Sequence, residues 1–173
     1  ISALPDFGPD ALTGADPRTW THARYYQIPD PIPDLRDLAR RITTGAYTDL
    51  ERTRRIVTFL GGTYAFDTEA PDDMALTAPP SQFLERRAAG TSMDFALATV
   101  LLARAAGIPA RLATGYLPGE FDPLTGTYLV RSSDRHAWAE IYLGGAGWVP
   151  FDAAPRPAAM AFRDGATYRS APV

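Results

Sequence analysis

Three residues carry the chemistry this sequence could perform: Ser92, His136 and Asp152. Ser92 lies in "GTSMDFALATVLLARAAGIPAR", a stretch that reads as a nearly all-apolar helix entered through a tight turn. With Thr91 as the cap and Asp94 three residues on, Ser92 falls in the first helical turn. The free N–H groups and the positive end of the helix dipole favour negative charge there. A cysteine at this place would become a reactive thiolate, whereas a serine hydroxyl stays protonated and needs a general base. Taken alone, Ser92 is a helix-start residue.

A base and a group to orient it follow later in the chain. In "SSDRHAWAEIYL", strand alternation sets His136, Trp138, Glu140 and Tyr142 on one face. Ala137, Ala139, Ile141 and Leu143 take the other, the greasier side that should meet the buried helix. Asp152 ends "GWVPFD" and can hold an imidazole. Register decides whether it does. A two-residue loop at Gly145 and Ala146 puts Asp152 opposite Ala139, on the wrong face. A three-residue loop or one bulge, which the glycines of "GGAG" allow, puts it opposite Trp138 and on the face of His136. Such an irregularity is predicted.

The elements that must position these groups follow from periodicity. A helix is predicted from about Asp34, with Leu35, Leu38, Ala39 and Ile42 on one face, ending at Gly45. "TDLERTRRIVTFLGG" is a second helix, with Thr48 and Glu51 as a capping box and Gly61 and Gly62 as its stop. A short Pro-led helix is expected over residues 81–87 and the buried one over 92–106, closed by Gly107 and Pro109. From Ile108 the period becomes that of strands: "IPARLATGYLP", "TYLVR", "HAWAEIYL" and "GWVPFD", with "FDPLTGT" as a hairpin turn. Helices first and strands afterwards predict an α+β fold, N-terminal helices packed on a C-terminal antiparallel sheet. Residues 1–33, rich in Pro, Gly and Asp, read as a leader anchored by Trp20, Tyr25 and Tyr26. The domain spans residues 34–155, and 156–173 form a second linker.

Composition bounds the function. The 173 residues, 46% hydrophobic, suffice for one cored domain, and a formal net charge of -3 offers no basic surface for nucleic acid. All basic residues are Arg. There is no Cys, and two His, His22 and His136, are too few for an ordinary zinc site. No acidic loop has the spacing of a calcium site, so neither metal nor cofactor is expected. No stretch is long and apolar enough to span a membrane.

With helix mouth, His strand and Asp strand in place, the chain resembles the transglutaminase-like superfamily, a branch of the papain-like fold. The resemblance covers about residues 35–155. It rests on "GTSMDFALATVLLARAAGIPARLATGYLPG", "YLVRSSDRHAWAEIYL" and "GWVPFDAAP" in this order. Within the superfamily it is most similar to the extracytoplasmic domain of bacterial TgpA-type membrane proteins. That likeness implies a place on the extracytoplasmic face of a bacterial cytoplasmic membrane. Attachment would run through segments outside this sequence, which begins at Ile1 and so suggests an excised or processed domain.

The resemblance also implies a Cys-His-Asp triad, carried here by Ser92, His136 and Asp152, with Ser in place of the nucleophilic Cys. A Cys→Ser replacement and a native Ser in a diverged member both fit; the neighbourhood "TSMDFA", itself unlike the usual aromatic-Cys surroundings, favours the native Ser. Trp138 and Tyr116 are the positions at which a substrate would be held, and Trp138 and Trp148 also serve packing. Arg131 and Asp134 are expected to pair and order their loop. Two functions remain open. One is acyl transfer on a peptide, protein or cell-wall substrate, weak or absent with Ser92. In it, His136 is base then acid, Asp152 holds the imidazole, and the N–H of residue 92 forms part of an oxyanion hole. The other is a non-catalytic peptide- or cell-wall-binding module using the same cleft.

Overall fold

The computed structural model describes residues 23–28, 32–67, 79–86 and 89–155. Four helices precede the five strands: α1 Leu35–Thr43, α2 Asp49–Thr63, α3 Pro80–Arg86 and α4 Ser92–Ala105. The strands are β1 Ala110–Tyr116, β2 Glu120–Asp122, β3 Thr127–Leu129, β4 Arg135–Leu143 and β5 Gly147–Phe151. The α+β order is the one the periodicity predicts. Two sheets form, where one was expected. β1, β4 and β5 make an antiparallel sheet in the order β1-β4-β5, and β2 pairs with β3 as a separate ribbon. Gly126 turns that ribbon with a positive φ of 67°, at the place where "FDPLTGT" predicts a turn.

Helix α4 organises the rest. Its apolar surface runs all the way round, so it can be stable only if covered on every side. It packs against the sheet through β4 and β1 and against α1, α2 and α3. Phe95, Leu102, Ile108 and Ile141 are fully buried in the shared core. On α1, Leu35 and Ala39 are buried, with Leu38 and Ile42 packed behind them, as helical spacing requires. Trp20, His22 and residues 156–173 lie outside the described residues. Tyr25, in a short 3₁₀ turn, meets the edge of Trp148 with centroids 4.7 Å apart, the anchoring expected of this segment.

The glycine pair at the end of α2 corrects a prediction. The helix does not stop there but runs through Gly61 and Gly62 to Thr63. Gly61 answers a different need: a Cβ there would sit 3.2 Å from the carbonyl oxygen of Ala153. α2 thus presses against the chain just beyond Asp152. Gly62 faces open space. At the other end of α2 the capping box forms as predicted: Glu51 N–H donates to Thr48 Oγ1 at 3.2 Å, and Glu51 Oε2 accepts from the N–H groups of Tyr47 and Thr48.

Two outcomes follow for stability. Gly62→Ala should stabilise the protein by about 0.5–1 kcal/mol through helix propensity, whereas Gly61→Ala, crowded by the Ala153 carbonyl, should gain less or lose stability; urea unfolding of the two variants compares them. The backbone N–H groups of Tyr47 and Thr48 hold the Glu51 carboxyl below its usual value of 4.5. Its contribution is therefore present above that value and lost as pH falls through the lowered one. Glu51→Gln keeps the box without the charge, so its unfolding midpoint should vary less with pH across that acid range than that of the parent.

Candidate functional site

Thr91 caps α4, and Asp94 closes the turn: one carboxylate oxygen accepts from both the Thr91 N–H (2.9 Å) and its hydroxyl (3.0 Å). Both residues are buried. Gly90, just outside, leaves no room for a side chain, since a Cβ would lie 2.6 Å from the Phe83 ring and 2.9 Å from Asp94 Cβ. The mouth of α4 is thereby fixed from three sides. Ser92, its first residue, is only 1% exposed.

The Ser92 hydroxyl reaches the sheet. Its Oγ accepts a hydrogen bond from the backbone N–H of Ala137, the residue after His136, at 3.2 Å. Strand geometry explains why that amide is available. Tyr142 N–H, at an even position of β4, points towards β1 and bonds Pro109 O, so the odd positions point towards β5. β5 ends with Phe151 opposite Ala139. Ala137, two residues on, has no strand partner on that side, and Ser92 takes its place.

The same register brings Asp152 to His136. β4 and β5 are joined by the three residues Gly144, Gly145 and Ala146, with Leu143 opposite Gly147, the longer of the two loops weighed from the sequence. One step beyond Phe151, Asp152 is level with Trp138. Its Oδ2 lies 2.8 Å from Nε2 of the buried His136, and Oδ1 accepts from Ala154 N–H at 3.1 Å. The turn role and the imidazole role of Asp152 are both present, one on each oxygen. A carboxylate can only accept, so the ring donates through Nε2.

The flanking residues divide. The Trp138 ring lies nearly parallel to His136, with an interplanar angle of 16° and centroids 6.5 Å apart. Tyr116, 57% exposed, is paired with Arg135 and so projects from the Ala137 face of the sheet, opposite to that of His136 and Trp138. Glu140 is structural: it pairs with Arg111 at 2.6 Å, and Arg111 stacks over Trp148. The expected ion pair between Arg131 and Asp134 does not form. Asp134 accepts from the Arg131 backbone N–H instead, and the Arg131 guanidinium reaches Glu120 on β2. Among the described residues no group of three or more His, Asp or Glu could hold a metal ion. None of their helices is long and apolar enough to cross a membrane. Sequence reasoning missed Ala137, whose part is played by its backbone; carrying the register arithmetic past Phe151 exposes its unpaired amide.

A family model described as "Transglutaminase-like superfamily" matches residues 36–153. The chain belongs to the transglutaminase-like superfamily. It is 32% identical over 141 residues to the uncharacterized protein YebA of Bacillus subtilis, covering 75% of this chain and 18% of that protein. It is 40% identical over 70 residues to a protein-glutamine gamma-glutamyltransferase of Pseudomonas aeruginosa, covering 40% of this chain and 10% of that one. Among solved structures, the periplasmic domain of TgpA from Pseudomonas aeruginosa superposes with a TM-score of 0.64 at 28% identity, over 75% of this chain and 45% of that one. The chain thus spans a small part of the curated relatives and under half of that domain. The transglutaminase-like core and the likeness to TgpA-type proteins read from the sequence are borne out.

The Ser92 contact has a measurable consequence. Ser92→Ala removes the acceptor from a buried amide, which should cost about 1–3 kcal/mol. Urea unfolding of this variant measures that cost; a loss within a few tenths of a kcal/mol would show that the amide finds another partner.

Proposed function

We propose that this domain carries the acyl-transfer site of its superfamily, with Ser92 in the nucleophile's place, His136 as base and then acid, and Asp152 holding the imidazole. One observation carries the reading. A single run of contacts spans all three positions: Ser92 Oγ bonds the amide next to His136, and His136 bonds Asp152. With Nε2 given to Asp152, Nδ1 is the ring nitrogen that exchanges a proton with residue 92. The substrate class is a peptide, a protein glutamine or a cell-wall peptide, with Trp138 beside His136 and Tyr116 on the other face of the sheet. The likeness to a periplasmic domain supports a place outside the cytoplasmic membrane of a bacterium.

In this site a thiolate would attack the carbonyl, and water or an amine would release the acyl group. Ser92 lacks that ionised nucleophile, so turnover by this chain is absent or very weak. The burial of the hydroxyl, and its use as an acceptor for the Ala137 amide, favour a second reading. In it the cleft holds a peptide or cell-wall fragment without cleaving it.

Because the chain has no cysteine, Ser92→Cys introduces a single thiol. Its alkylation rate is measured from about pH 5 to about pH 9, across the ordinary thiol pKa of about 8.5. The expected result is rapid labelling that persists well below that value and slows at least about tenfold when His136→Ala is added. Labelling that simply follows an unperturbed thiol would remove the acyl-transfer reading and leave the binding module.

A further inference from the structure

The described residues form a concavity at the far end of α4 from Ser92. The two ends of the 14-residue helix are about 20 Å apart at a rise of about 1.5 Å per residue. The cavity has a volume of about 320 Å³ and is lined by Arg36, Arg40, Thr43, Thr44 and Arg52 around a floor of alanines. Arg36, Arg40 and Thr43 recur at helical spacing, so α1 presents them as one stripe, separate from the Leu35 and Ala39 stripe in the core.

Three guanidiniums gathered on a protein of net charge -3 call for an explanation. Two of the three already have a carboxylate partner in a solvent-exposed pair, Arg40 with Asp37 and Arg52 with Asp49 at 3.5 Å, for which a bound anion would compete. Arg36 has no ion pair or hydrogen bond among the described residues. Two like charges four residues apart mildly destabilise a helix. Bonds to backbone carbonyls in the connection between α1 and α2 explain only part of the cluster. Arg55 donates to the carbonyls of Thr44 and Gly45, and Arg52 Nε to that of Ala46 at 3.5 Å. Among the described residues Arg36 and Arg40 serve no carbonyl.

The threonines narrow the ligand. Thr43 and Thr44 each donate their hydroxyl hydrogen back to α1, to Ala39 O and Arg40 O at 2.8 Å. Their oxygens can therefore accept but not donate. A matching ligand offers anionic oxygens to the arginines and hydroxyl hydrogens to the threonines. Ligand-sized pockets begin at about 300 Å³, so this one takes more than a bare phosphate. We propose that the cavity binds the phosphate ester of a small polyol such as glycerol phosphate. Arg36, Arg40 and Arg52 hold the phosphate, and Thr43 and Thr44 accept from the polyol.

The test is a calorimetric titration of the chain, at constant ionic strength, with glycerol 3-phosphate, inorganic phosphate and glycerol. Glycerol 3-phosphate should saturate and bind at least about threefold tighter than inorganic phosphate. Arg36→Gln combined with Arg40→Gln should weaken it about tenfold or more, as loss of charge-assisted bonds does. Both side chains are exposed and neither bonds a backbone carbonyl, so this variant keeps the fold. Arg54→Gln, exposed on α2 and outside the cavity, should leave binding unchanged. Absence of saturation, equal affinity for inorganic phosphate, or an equal loss in Arg54→Gln would overturn the proposal. Sedimentation with phosphatidylglycerol vesicles, against phosphatidylcholine alone, separates the sources once glycerol 3-phosphate binds. Retention that depends on Arg36 assigns a lipid headgroup, and its absence assigns a soluble ester. These readouts leave Ser92 untouched, so their failure and that of the acyl-transfer reading are distinguishable.

Discussion

The length of one turn governs the geometry of this domain. Three residues between β4 and β5 place Leu143 opposite Gly147 and end the pairing at Ala139 and Phe151. Strand side chains alternate with a period of two, so a turn one residue shorter would carry Asp152 to the opposite face of the sheet. It would also shift the point at which β4 loses its neighbour. As it stands, the pairing stops where the amide of Ala137 is left facing outwards, and the first residue of α4 meets it. The sheet's missing partner is supplied by a helix. That substitution holds the mouth of α4 against the His136 strand, and α2, pressed on Ala153 at Gly61, keeps the chain after Asp152 in place.

Much of this was legible because strong patterns leave few alternatives. The helix beginning at Ser92 is apolar on every face, and only burial can satisfy such a surface. The alternation in "RHAWAEIYL" fixed which side of β4 met that helix, and the glycines near residue 145 pointed to the longer turn. Other features depend on contacts far apart in sequence. A glycine pair after a helical run looks like a stop, but the need for Gly61 arises from Ala153, some ninety residues on in the chain. Arg131 and Asp134 are close in sequence, which suggests an ion pair. A 3₁₀ turn at Ser132–Asp134 instead aims the carboxylate at the backbone, while the ribbon brings Glu120 to the arginine. β2 is three residues long, too short for alternation to announce it.

The Ser92 contact also bears on what a change of nucleophile does to the fold. Oxygen accepts hydrogen bonds well and sulfur weakly. At the start of α4, therefore, serine is the better partner for the Ala137 amide and cysteine the better nucleophile. A chain with serine here gives up thiolate chemistry without loosening the junction between helix and sheet. The imidazole and carboxylate can persist for the same reason. His136 is buried, and Asp152 also ties the turn at Ala154, so both have structural work that does not depend on turnover.

Helix α4 links the two ends of the domain electrostatically. Its N-terminus carries partial positive charge, which favours a nucleophile or an anionic intermediate at residue 92. Its C-terminus carries the matching negative charge, and Ala105 and Ala106 there form part of the cavity floor. An anion placed on that floor is repelled by the helix end. An anion site at this place therefore needs more cationic charge than one at a helix N-terminus, and the arginines of α1 and α2 supply it. The same reasoning accounts for Arg104, in the last turn of α4, whose guanidinium bonds the carbonyls of Ala110 and Gln27 rather than the cavity. Partial burial pulls its pKa below the ordinary value; it serves the junction with β1, and the cavity draws its charge from the other helices.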